Sequence, residues 1–114
     1  MGIRATARGA GTTVVVEMSG QITLGEGSAL LRKTVRGLLA EGHMHILLNL
    51  AEVDYIDSAG IGELVSSYMS TRNGGGELKL LHLSRRVRDV LQLTKLYTVF
   101  DVHTDEAAAL RSFH

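Results

Sequence analysis

The chain contains no cysteine and no proline. Without cysteine there is no disulfide, no thiolate metal site and no thiol chemistry. Such a composition suits a reducing compartment, and a cytoplasmic location is the expectation. Aromatic residues are few: three Tyr, two Phe and no Trp. Little is therefore available to stack on nucleic-acid bases. An excess charge of either sign is also missing. Twelve Lys and Arg balance twelve Asp and Glu among 114 residues, whereas nucleic-acid binders carry a basic excess or stripe. The one dense basic stretch, Arg85, Arg86 and Arg88 with Lys95 nearby, reads as the solvated face of a helix. No direct nucleic-acid partner is expected. No apolar run approaches the roughly 18 residues of a membrane span, and the first residues lack the apolar core of a signal peptide. Membrane insertion is therefore not expected. Met1-Gly2-Ile3-Arg4-Ala5-Thr6 matches a loose myristoylation pattern, but strand-like residues follow at once.

What is present is an ordinary globular balance, 45% apolar, in a length that fits a single domain over 1–114. Ile3 to Arg8 reads as an edge strand, with Gly9-Ala10-Gly11 as its hairpin turn. Thr12 to Met18 is β-branched and reads as a second strand, ended by Ser19-Gly20. Thr23-Leu24-Gly25-Glu26 has the spacing of a capping box, which predicts a helix to about Ala40. Met44 to Leu50 is almost continuously apolar, as a strand buried on both faces would be. A loop from Val53 leads into a helix from about Ser58 to Arg72, with Ile61, Leu64, Val65, Tyr68 and Met69 as its buried stripe. Glu77 to His82 is a further strand. Ser84 caps a short helix with Val87, Val90 and Leu91 inward. Val99 to Val102 is a last strand, and Thr104-Asp105-Glu106 opens a final helix. The order β-β-α-β-α-β-α-β-α predicts an α/β domain: a mixed, largely parallel sheet of four to five strands packed with about four helices. In such sheets the loops after the carboxyl ends of strands carry the site.

One such loop, VDYIDSAGIG over 53–62, gathers an acid, a serine and two glycines. A nucleophilic Ser58 needs a base in reach. The stretch is not a G-x-S-x-G elbow; His82 and His103 lie near strand ends and could approach the same rim, but nothing in the spacing demands it. Gly60-Ile61-Gly62 lacks the third glycine of a dinucleotide fingerprint, and no G-x-x-x-x-G-K-[ST] occurs. His43-x-His45 has no third ligand at a telling spacing, so no metal or other cofactor is expected. The remaining reading is that Ser58 is a target for modification by another protein. Asp57 or Ser58 would cap the helix. Gly60 and Gly62 would keep side chains away from the hydroxyl. Each costs roughly 1 kcal/mol against alanine in a helix, which suggests a use for the open surface. The plain alternative is a well-made helix start without function.

The stretch Asp57-Ser58-Ala59-Gly60-Ile61-Gly62, after Ile46-Leu47-Leu48-Asn49-Leu50 and Val53 and before an amphipathic helix, resembles the phosphorylation motif of STAS domains, the anti-sigma factor antagonists and their relatives. The Val14-Val15-Val16 strand, the Gly74-Gly75-Gly76-Glu77-Leu78 turn and the Val87–Leu91 helix extend the resemblance over nearly the whole chain. It implies a protein that is not an enzyme and binds an anti-sigma factor serine kinase. It further implies that phosphorylation of Ser58 breaks that complex and that a serine phosphatase restores it, so that transcription is regulated indirectly. Asp57 would orient Ser58 or contact the kinase, and Ala59, Gly60 and Gly62 would belong to the docking rim. Two departures stand out. Thr23, which reads as a helix cap, replaces the acid of a frequent G-E-L-D pattern at a position that the resemblance places in the partner-binding surface. Ala59 replaces a frequent Ser or Thr, leaving Ser58 as the sole phosphoacceptor of the motif. A rival function within the resemblance is a scaffold or accessory subunit, in a stress-signalling assembly or beside a membrane transporter, that phosphate does not switch.

Overall fold

A computed structural model describes residues 2–113. Met1, the first residue of the myristoylation pattern, and His114 lie outside the described residues. In chain order the elements are β1 (Arg4–Ala10), β2 (Thr13–Ile22), α1 (Glu26–Ala40), β3 (His45–Ile56), α2 (Ser58–Asn73), β4 (Glu77–Leu81), α3 (Arg85–Leu93), a 3-10 turn (Tyr97–Val99), β5 (Val102–His103) and α4 (Glu106–Arg111). The strands lie side by side in the order β1-β2-β3-β4-β5. β1 is antiparallel to β2, and all other neighbours are parallel. This is the expected mixed α/β sheet, with five strands and four helices.

The apolar runs explain the layers. Along β2 and β3 successive side chains point to opposite faces. Val14, Val16, Ile46, Leu48 and Leu50 enter the large core, which Leu31 and Val35 of α1, Ile61 and Leu64 of α2, and Val87 and Leu91 of α3 complete. Val15, Leu47 and Leu81 enter a much smaller cluster on the other face, covered by Ala109 of α4 with Leu110 and Phe113. Continuous burial along these strands is thus what a sheet covered on both faces requires.

Four expectations need correction. Both central strands run further than their composition suggests. β2 passes through Ser19-Gly20, and β3 continues through Val53 to Ile56, because the two ladders stay paired there (Gly20 with Val53, Ile22 with Ile56). The register shifts between Glu17 and Ser19 and again between Gly20 and Gln21. Each shift adds a residue to β3, so its 12 residues match the 10 of β2; such bulges bend a strand and re-aim its side chains. The first hairpin turns at Gly11, whose φ of +65° suits glycine. The last expected strand divides into the 3-10 turn and the two-residue β5. On α2 the expected stripe holds at Ile61 and Leu64, but Met69 is 54% exposed while Glu63, Ser67 and Thr71 are buried. This polar side meets α1, where Arg32 Nε donates to Glu63 Oε1 at 2.8 Å.

Candidate functional site

The parallel strands β2, β3 and β4 deliver their following loops to one rim of the sheet. β2 leads through Thr23-Leu24-Gly25 into α1, β3 through Asp57 into α2, and β4 through His82-Leu83-Ser84 into α3. Ile22 and Ile56 are register partners, so the first two loops leave the sheet side by side.

Asp57 is the residue that joins them. It is the N-cap of α2 in extended conformation. Its Oδ1 accepts from the Gly60 amide at 2.8 Å, and its Oδ2 accepts from the Leu24 amide at 3.0 Å. These bonds, the Leu24 amide's first, hold the Asp57 carboxyl below the usual carboxylate range. Asp57 therefore positions both loops and does not contact the hydroxyl of Ser58.

Ser58 is the first residue of α2 and is exposed. Its hydroxyl has no hydrogen-bond partner among the described residues. His103 Nε2 lies 3.1 Å from Asp101 and 3.4 Å from Ser112 Oγ, and among the described residues no histidine is bonded to Ser58. The serine stands at a helix end whose free amides and dipole favour negative charge.

Thr23 does not cap α1. The cap position belongs to Gly25, with φ +97°, which a side-chain-bearing residue rarely adopts. Glu26, expected to reach back to the cap, is instead the first helical residue. Thr23 serves through its carbonyl, which accepts from the Ser28 amide at 2.9 Å. The two glycines of the motif also part company. Gly60 is buried, and a Cβ there would stand 2.0 Å from the Ile22 carbonyl oxygen and 2.8 Å from Ile56 Cγ1. It is a close-packing residue that lets α2 cross the end of β2, and it is not part of an exposed rim. Gly62 is exposed, and a Cβ there would meet nothing within 4 Å. Ala59 is partly exposed beside it.

Three residues join this rim that their sequence context did not single out for it. Leu24 is 80% exposed on the loop that Asp57 holds. Its signal was available: a lone leucine followed by glycine in a polar turn. Tyr55 is 40% exposed, and the Arg86 guanidinium lies over its ring at 5.3 Å. Ser84, confirmed as the α3 cap by its bond from the Val87 amide, also donates to the Val53 carbonyl and so ties the start of α3 to β3. His43 and His45 do not converge: His43 faces Glu41 and His45 faces Glu77. Among the described residues no group of three or more His, Asp or Glu side chains is placed to hold a metal ion. None of the described helices is long and apolar enough to cross a membrane.

The accessible serine and the carboxylate that ties two loops mark this rim of the mixed sheet as the candidate site. The STAS domain family model matches residues 4–109, and the chain belongs to that family. The anti-sigma-B factor antagonist of Bacillus subtilis is 32% identical over 89 residues, 78% of this chain and 80% of that protein. The anti-sigma F factor antagonist of Paenibacillus polymyxa is 22% identical over 97 residues, 85% of this chain and 83% of that protein. Among solved structures, an anti-sigma factor antagonist from Mycobacterium paratuberculosis superposes with a TM-score of 0.84 at 20% identity, covering 97% of this chain and 93% of the other. The phosphorylated form of the Bacillus protein SpoIIAA gives 0.72 at 20% identity, over 95% of this chain and 97% of the other. These structural likenesses concern the fold.

Proposed function

We propose that this chain is an anti-sigma factor antagonist whose binding to an anti-sigma factor serine kinase is switched off by phosphorylation of Ser58. The observation that carries the reading is the free, exposed hydroxyl of Ser58 at the start of α2, in a family whose named relatives are anti-sigma antagonists. SpoIIAA, a structural neighbour, has been solved both unphosphorylated and phosphorylated. A phosphate adds about −1.5 to −2 charges at neutral pH. At the amino end of a 16-residue helix that charge is favourable, so the fold survives. Next to the ionised Asp57 and inside a closed interface the same charge is repelled and must be desolvated. The switch is therefore one of binding. The protein acts by occupying its partner in the cytoplasm and carries out no reaction itself; a serine phosphatase resets it.

The test pairs the purified chain with ATP and anti-sigma serine kinases of its own genome. Wild type should gain one phosphate by intact mass, Ser58→Ala none. Phosphorylated and unmodified protein should melt alike, while only the unmodified form binds the kinase. Kinase binding that persists after full phosphorylation would transfer the case to an unswitched scaffold.

A further inference from the structure

The start of α3 concentrates positive charge that no ion pair among the described residues neutralises. Arg85 and Arg86 are exposed. The ion pairs among the described residues involve neither them nor Arg88. The first turn of α3 holds no acidic residue, so two cations share the positive end of its dipole, an arrangement that disfavours the helix. Arg86 is nevertheless fixed in place. Its guanidinium lies over the Tyr55 ring at 5.3 Å, and none of its N–H donors takes part in an ion pair among the described residues. Tyr55 is three residues from Ser58, at most about 10 Å along the chain.

That distance decides what a partner must cover. A stable protein interface takes about 800 Å² from each partner, a patch roughly 30 Å across. The whole molecule measures 31 × 25 × 23 Å. A kinase seated on Ser58 therefore covers the start of α3 as well. Cations covered without carboxylates opposite them would be desolvated without return.

We propose that Arg85 and Arg86, beside Tyr55, form an electrostatic second half of the Ser58 interface and that they receive an acidic surface of the kinase. The inference rests on the Ser58 reading above. It makes the patch a steering element: it speeds encounter and selects among kinases by the charge of that surface, as complementary fields do.

The probe is the purified serine kinase that phosphorylates Ser58, with association followed by stopped flow at about 50 and 500 mM salt. Arg86→Glu and Arg85→Glu are compared with Arg111→Glu, which makes the same charge change on α4 across the sheet. Circular dichroism checks that each variant is folded. Each α3 variant should associate about tenfold more slowly at low salt, with most of the difference gone at high salt. Arg111→Glu should stay within about twofold of wild type. If both α3 variants behave like Arg111→Glu at low salt, the patch is a solvated helix face and the inference fails, while Ser58 remains the switch. If no serine kinase of the genome binds or phosphorylates wild type, the Ser58 reading fails first and takes this one with it.

Discussion

The rim around Ser58 and the far face of the sheet are built on opposite terms. Under α4 the buried ammonium group of Lys79 is fully matched, while Nδ1 of His45, whose ring packs on Phe113, is buried without a hydrogen-bond partner among the described residues. Lys79, with only 10% of its side chain exposed, pairs with Asp101 at 3.0 Å. It also donates to the Ser112 carbonyl at 2.9 Å and to its hydroxyl at 2.8 Å. Its ammonium group stands 4.9 Å from the centre of the Phe113 ring. At the rim, by contrast, Leu24 is 80% exposed, and among the described residues the Ser58 hydroxyl has no hydrogen-bond partner and Arg85 and Arg86 have no ion pair. Buried polar groups are costly to leave without partners, so the Lys79 network on the far face reports on stability. The groups left without protein partners at the rim are the ones that the proposed kinase contact would use.

The comparison can be broken most severely at Gly60, where stability reaches into the rim. Gly60→Ala drives a Cβ into backbone at 2.0 Å. It should destabilise by about 3 kcal/mol, the upper range for overpacking, and lower the thermal midpoint accordingly. An unchanged melt would mean that α2 shifts freely over β2. Ser58→Asp should leave the melt near wild type but weaken kinase binding about 100-fold, roughly 2.7 kcal/mol, in a titration calorimeter. Equal affinity of the two proteins would remove the charge argument. Lys79→Met keeps the apolar stem and deletes the donors. A loss of about 1–2 kcal/mol in urea, with kinase affinity unchanged, would separate the far face from the rim. An affinity loss would show that the two regions are coupled.

A finer cut uses acid. The Asp57 carboxyl titrates below its unfolded value. Its contribution to stability is therefore complete at neutral pH and is lost only as the pH falls through that lowered value, below about pH 4. The Leu24 and Gly60 amide resonances should move together with one midpoint on acidification. Separate midpoints would show that the carboxylate does not hold both loops. The smallest effect belongs to Gly62→Ala. Open space and a helical position predict neutrality or a gain of up to about 1 kcal/mol in stability. A weaker kinase complex from that same variant would place Gly62 in the contact surface.

Much of this fold is visible in its letters. The unbroken run from Ile46 to Leu48, the Ser84 cap and the alternation of strands with helices all state local rules that the tertiary structure obeys. The bulges of β3 are not visible, because a register shift depends on the partner strand and leaves no period of its own. Nor is the division between Gly60 and Gly62. They are the same residue two positions apart, and only the passage of β2 beneath one of them makes it structural. Thr23 misleads for a related reason: its spacing fits a capping box, but the ladder carries β2 to Ile22 and leaves Gly25 to make the turn. Ser58 and Asp57 were legible as a pair, while the bond from Asp57 to Leu24 spans 33 residues of sequence and required the fold.

The double hold of Asp57 also bears on how such proteins diversify. Because its two oxygens serve two different helix starts, it cannot be exchanged to suit a new partner without loosening both. Leu24, Gly62 and Arg86 carry no such obligation. A new partner surface at this rim is therefore more readily built from these free positions than from the carboxylate at its centre, as keys are cut differently on one blank.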